Sequence, residues 1–132
     1  MIRVIIVDDE DLARTIVREH LASHPDMEII AECPNGFDAV RAITDMKPDL
    51  VFLDVQMPKL DGFEVLELLT PQPAIVFITA YDAFALKAFD VHAVDYLLKP
   101  FSQQRFDESV DHARAHLRTT THPALTALVT EH

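Results

Sequence analysis

Leu50-Val51-Phe52-Leu53-Asp54-Val55-Gln56-Met57-Pro58 decides how the rest of the chain is read. Four apolar residues run straight into one carboxylate, and a proline closes the stretch. A short continuous apolar run bounded by a turn signal reads as a strand buried on both faces. Asp54 then falls where a central strand ends and a loop begins. In open α/β sheets, ligands bind outside the carboxyl ends of the strands. An Asp in that place also serves as an ordinary turn residue, so Asp54 alone does not separate a site from a loop. The other strands do.

Residues 2–7 form a first apolar strand that ends in Asp8-Asp9-Glu10. Leu12, Ile16, Val17 and Leu21 follow at helical spacing, with Pro25 closing that helix. Residues 28–33 read as a second, less apolar strand, suited to the sheet edge. Asn35 is a candidate N-cap for a second helix lined by Phe37, Val40, Ile43 and Met46. Beyond the central strand, Asp61 and Glu64 have capping-box spacing and open a third helix. Residues 74–78 are a fourth strand running into Thr79-Ala80. Asp82 is placed to cap a short fourth helix through about Phe89. Residues 95–98 are a fifth strand running into Lys99-Pro100. Ser102 is placed to cap a fifth helix with the stripe Phe106, Val110, Ala113 and Leu117. Five strands alternating with five helices predict a doubly wound α/β fold, a parallel sheet with helices on both faces. Thr119-Thr120-Thr121-His122-Pro123 reads as a linker, so the expected organisation is one domain over 1–118 and a linker over 119–132.

Composition narrows the function. A chain of 132 residues, 49% hydrophobic, fits one domain with a real core, and its formal net charge is −11. That balance argues against this segment gripping nucleic acid, which needs a basic surface. A metal ion or a cationic partner fits better. The single cysteine, Cys33, excludes an internal disulfide and fits a reducing compartment. No apolar stretch is long enough for a bilayer, and no basic-then-apolar leader opens the chain. The expectation is a cytoplasmic protein.

Strand one ends in Asp8 and Asp9, strand three in Asp54, strand four in Thr79 and strand five in Lys99. In one parallel sheet all five project from the same edge. Carboxylates gathered in a partly buried cleft repel each other, at a cost of several kcal/mol for an unpaired buried charge, on the order of the penalties known for broken ion pairs. Hard oxygen ligands in a small site suit Mg²⁺. Mg²⁺, an ammonium and a hydroxyl together make a phosphoryl-binding environment, in which a carboxylate can act as nucleophile and form an aspartyl-phosphate. Asp54 holds the central position.

With its order and spacing, this set resembles the receiver domain of two-component response regulators: Asp8-Asp9, Asp54-Val55-Gln56-Met57-Pro58 with Gly62, Thr79-Ala80 and Lys99-Pro100-Phe101. The resemblance covers roughly residues 2–118. It implies a flavodoxin-like sheet of order 2-1-3-4-5. It implies Asp54 as phosphoacceptor and Mg²⁺ held by Asp9, Asp54 and the Gln56 carbonyl, with Asp8 acting mostly through water. Thr79 and Lys99 would contact the phosphoryl group, joined by the backbone N–H of Gln56 and Ala80. Tyr96 matches the family's aromatic switch position, working with Thr79, and the bond before Pro100 is expected to be cis.

A narrower resemblance, in residues 79–89 and 94–101, is to receivers that carry a LytTR-type DNA-binding output domain. It implies transcription regulation, with DNA contacted only through an output domain that these residues do not include. The alternative is a stand-alone receiver acting by protein–protein contact. An aspartyl-phosphate phosphatase is a further alternative, disfavoured because its acid–base Asp two residues after the nucleophile is here Gln56; a switch rather than an enzyme is expected. The implied partner is a histidine kinase. A phosphorylation-favoured homodimer is expected through helix four, strand five and helix five, where Lys87, Asp95, Arg114 and Arg118 supply both signs of charge for a two-fold contact.

Overall fold

A computed structural model, which describes residues 1–121, has five strands and five helices in strict alternation. The strands are β1 (Ile2–Val7), β2 (Met27–Cys33), β3 (Leu50–Asp54), β4 (Ala74–Thr79) and β5 (Asp95–Leu98). The helices are α1 (Asp11–Leu21), α2 (Gly36–Met46), α3 (Gly62–Glu67), α4 (Ala85–Asp90) and α5 (Gln103–Thr121), with a 3-10 turn over Asp82–Phe84 leading into α4. All four strand pairings are parallel, in the order β2-β1-β3-β4-β5. The fold is the flavodoxin-like one expected.

Side chains alternate across a strand, and here the alternation fills two cores. Ile5, Val7, Val51, Leu53, Ile75 and Phe77 face α2, α3 and α4. Val4, Ile6, Leu50, Phe52, Val76 and Ile78 face α1 and α5. Every residue of β3 is buried, as its unbroken apolar run requires. The Phe52 ring stacks on Phe106 of α5, with centroids 5.2 Å apart.

The helix starts follow their capping residues. Asn35 Oδ1 accepts from the Asp38 N–H at 2.8 Å. Asp61 and Glu64 form a reciprocal capping box. Ser102 Oγ accepts from the Arg105 N–H at 3.0 Å. Both glycines of the chain allow close approach to the loop after β3. A Cβ on Gly36 would lie 2.7 Å from the Leu60 carbonyl oxygen, and one on Gly62 2.5 Å from that of Asp54.

Four local expectations need correction. Leu12 and Ile16 are exposed; only Val17 and Leu21, four residues apart, carry α1 into the core. Phe37 is exposed too, because the contact face of α2 runs through Gly36, Ala39 and Ile43, and Phe37 is turned about 100° from Gly36 on a helix. Asp82 makes no side-chain cap; it is the first residue of the 3-10 turn. Thr119 to Thr121 continue α5, where Thr119 Oγ1 donates back to the Ala115 carbonyl at 2.9 Å. The remainder of the expected linker, from His122, lies outside the described residues. A second cis proline bond, Thr70–Pro71, joins the expected one at Lys99–Pro100.

The packing makes a contrast testable by denaturant unfolding. Phe106→Ala, which removes a fully buried ring, is expected to cost about 3–5 kcal/mol. Phe37→Ala, at an exposed site, should stay within about 0.5 kcal/mol.

Candidate functional site

The carboxyl ends of β1, β3, β4 and β5 meet at one edge of the sheet. Asp8 continues the chain from β1 and is still tied to the neighbouring strand, its N–H donating to the Cys33 carbonyl at 3.1 Å. Its side chain is buried. Oδ2 accepts from Lys99 Nζ at 2.9 Å, Oδ1 accepts from the Glu10 N–H at 3.0 Å, and its carbonyl accepts from Arg14 Nη1 at 2.6 Å. Asp8 is thereby held by its side chain on one flank and by its backbone on the other.

Asp54 is the last residue of β3, only 4% exposed. Its Oδ1 accepts from the Gln56 N–H at 3.3 Å. Burial, then the negative charge of Asp8, push its pKa up to about 7; Lys99 and the Gln56 N–H pull the other way, and Asp9 adds a smaller push upward. Lys99 shows the complementary effect. Burial pulls its pKa down, but the Asp8 hydrogen bond and the charges of Asp54 and Asp8 leave it raised overall. The ammonium is therefore firmly charged beside a carboxyl group that resists ionisation.

Thr79 ends β4 and is buried. Its carbonyl accepts from the Lys99 N–H at 2.7 Å, which keeps β4 and the start of the loop after β5 side by side. Its Oγ1 accepts from the Tyr81 N–H at 3.2 Å. The Tyr81 carbonyl in turn accepts from the Tyr96 hydroxyl. Thr79, Tyr81 and Tyr96 thus form one hydrogen-bonded chain from the cleft to the β5 surface. Ala80 and Gln56 are exposed at the rim.

The structure also brings in groups that sequence reasoning left unassigned. Among the described residues, Asp8, Asp9 and Glu10 form a group of three carboxylates with ligand oxygens within 4.8 Å of one another. Glu10 was visible only as the third acid of a run. Arg14 follows Glu10 at helical i,i+4 spacing, a signal that could have suggested its place under the β1–α1 loop. All-oxygen anionic donors beside a cleft that destabilises the charged form of Asp54 fit a hard divalent cation such as Mg²⁺.

The four residues assigned to a dimer face do not share one. Arg114 turns to the far side of α5, where it bonds Asp26 at 2.7 and 2.8 Å and His24 at 2.9 Å. Arg118 lines a cleft with Met1, Ile2, Asp26 and Asp49. Lys87 lies over the Phe63 ring, 4.5 Å from its centroid. Asp95 is engaged within the chain by Arg105, at 2.7 and 2.9 Å, and by His112 at 2.9 Å. Charge counting along the sequence could not see these partners, which lie on other elements or depend on how α5 packs.

The family model of the response regulator receiver domain matches residues 4–111. The chain belongs to that family and is the receiver domain of a two-component response regulator. It is 51% identical over 112 residues to an uncharacterized response regulatory protein of Yersinia pestis, covering 83% of this chain and 47% of that protein. It is 46% identical over 116 residues to the transcriptional regulatory protein BtsR of Escherichia coli K12, covering 86% of this chain and 48% of that one. The chain thus spans about half the length of these curated relatives. Among solved structures, the response regulatory domain of mrkE from Klebsiella pneumoniae superposes with a TM-score of 0.80 at 34% identity, covering 88% of this chain and 98% of that one. The receiver domain of AraT from Geobacillus stearothermophilus gives 0.82 at 31%, covering 91% and 98%. Among the described residues, no helix is long and apolar enough to cross a membrane.

The raised pKa of Asp54 sets a pH dependence. Between its ordinary value of 3.8 and about 7, the folded state holds a proton that the unfolded state has released. Stability therefore falls as pH rises through that window. In Mg²⁺-free buffer, Asp54→Asn should melt higher than the wild type at pH 7.5, and the difference should shrink as the pH is lowered toward 4. Melting temperatures followed by circular dichroism across that range check this.

Proposed function

We propose that Asp54 accepts a phosphoryl group from the phosphohistidine of a histidine kinase. The single observation that carries this reading is the burial of Asp54 at the sheet edge beside a charged Lys99 and the acidic β1–α1 loop. An Oδ of Asp54 attacks phosphorus; the phosphorus–nitrogen bond breaks, and the histidine nitrogen leaves with the electron pair. Lys99, the Thr79 hydroxyl and the backbone N–H groups of Gln56 and Ala80 stabilise the phosphoryl oxygens. Asp8, Asp9, Asp54 and the Gln56 carbonyl would hold Mg²⁺, with Glu10 at the same mouth. When bound, the ion supplies positive charge that offsets both the carboxylates and the phosphoryl oxygens.

The kinase has to approach from this edge. An apolar cleft of ≈ 610 Å³ opens there, lined by Ile16, Val17, His20, Ala80, Lys99 and Phe101 among others. Exposed Leu12 and half-exposed Ile16 on α1 are then an outward-facing apolar strip for that partner rather than stray core residues.

The hydrogen-bonded chain through Thr79, Tyr81 and Tyr96 supports a switch. If the Thr79 hydroxyl turns to a phosphoryl oxygen, the Tyr81 N–H loses its acceptor, and the anchor of the Tyr96 hydroxyl can move with it. Such a change biases a two-state surface around α4, β5 and α5. Leu86, Phe89 and Leu98 are exposed on these elements, and a phosphorylation-favoured dimer through them remains our reading, with Arg105 on this side of α5 in place of Arg114. The length of the relatives, and BtsR being a transcriptional regulatory protein, support an output domain beyond this chain; we take it to be of the DNA-binding LytTR type, in a cytoplasmic regulator. Gln56 supplies no acid–base group for rapid turnover, which favours a switch over an enzyme.

Intact-mass measurement after treatment with acetyl phosphate and Mg²⁺ tests the assignment. One phosphoryl mass should appear in the wild type and vanish in Asp54→Asn; a gain that persists in the variant removes Asp54 from the role. Mg²⁺ should also raise the melting temperature of the unphosphorylated protein, by roughly 1.4 kcal/mol of stability at ten times Kd. Asp9→Asn should abolish that response; an unchanged response would place the metal elsewhere.

A further inference from the structure

His112 and His116 stand four residues apart on α5, separated by Ala113, Arg114 and Ala115, and both are exposed. Residues at that spacing share a helix face, and two histidines so placed can close on one metal ion. Asp95 distinguishes this pair from an ordinary polar surface. Its carboxylate is mostly buried and held by both Nη atoms of Arg105, at 2.7 and 2.9 Å, and by the Tyr96 N–H at 2.7 Å. Asp95 Oδ2 lies 2.9 Å from Nδ1 of His112.

Both Nη atoms of Arg105 and the Tyr96 N–H donate to the Asp95 carboxylate, which is thereby held ionised in a two-pronged ion pair. An ionised carboxylate only accepts hydrogen bonds, so Nδ1 of His112 is the donor. In the neutral ring Nε2 then carries the free lone pair, on the edge of the imidazole away from Asp95. Metal-ligating histidines show this arrangement: one ring nitrogen donates to a carboxylate and the other binds the ion. Asp95 also neutralises the Arg105 guanidinium on its other side. The formal net charge of −11 further favours a cation.

We propose that His112 and His116 bind one divalent transition-metal ion of the zinc, nickel or copper class, with Asp95 as the positioning residue behind His112. Imidazole nitrogens suit these ions, whereas the carboxylate oxygens of the phosphoryl cleft suit Mg²⁺. The two sites are distinct in place and in chemistry. Water completes the coordination.

Calorimetric titration of the 132-residue chain with zinc chloride, in excess Mg²⁺, tests this. One Zn²⁺ binding event should be present in the wild type and absent in His116→Ala and in His112→Gln. Asp95→Asn should weaken it by about tenfold or more. In ¹⁵N spectra of the histidine rings, Zn²⁺ should shift Nε2 of His112 while its Nδ1 remains protonated. No zinc binding, or the same affinity and stoichiometry in His116→Ala, overturns the site. An Asp95→Asn variant that is folded by circular dichroism and binds as tightly as the wild type overturns the role of Asp95.

Discussion

Asp54 carries a charge that the apolar sheet around it disfavours. It is nearly buried, it follows four fully buried residues, and Asp8 lies close enough to add repulsion. Lys99 answers part of this, but its ammonium bonds directly to Asp8 rather than to Asp54. The domain thus leaves one carboxyl group under-compensated at the mouth of a cleft, and any added positive charge or neutralising chemistry there is favourable. A carboxyl group perturbed in this way at a cleft marks a candidate functional group.

The fold serves that arrangement at several removes. Parallel strands deliver Asp8, Asp54, Thr79 and Lys99 to one edge, and pairing continues just past the strand ends through Asp8 to Cys33, Val55 to Ile78 and Lys99 to Thr79. Gly62 lets α3 start against the Asp54 backbone, where any side chain would collide. The chain from Thr79 through Tyr81 to Tyr96 connects the cleft to the surface formed by β5 and its neighbours. Any displacement of the Thr79 hydroxyl would reach Tyr96 through the Tyr81 backbone.

Exposed apolar groups belong to the same logic. Ile16 lines the apolar cleft beside Lys99, with exposed Leu12 one turn earlier on α1, and Leu86, Phe89 and Leu98 are exposed on α4 and β5. Grouped exposed apolar surface marks contact sites more often than scattered residues do.

Much of this was legible along the chain. Unbroken apolar runs ending in polar residues set the strands, and the capping pairs Asn35 with Asp38, Asp61 with Glu64 and Ser102 with Arg105 set helix starts, because these are interactions over three residues or fewer. Alternating elements point to a parallel sheet, the family resemblance implies its order, and strand ends define the edge where Asp8, Asp9, Asp54, Thr79 and Lys99 gather. Which face of a helix meets the sheet was not legible for α1 and α2. Helical periodicity alone does not separate Leu12 and Phe37 from their buried neighbours; the depth of approach that Gly36 and Ala39 allow does. Nor were the partners of charged residues. Arg114 belongs to Asp26 and His24, Asp95 to Arg105 and His112, and Arg14 to the Asp8 backbone. Local order and strand-end chemistry follow from the sequence because they act between near neighbours, whereas helix rotation and ion pairing are settled by tertiary packing, which joins residues up to about ninety positions apart.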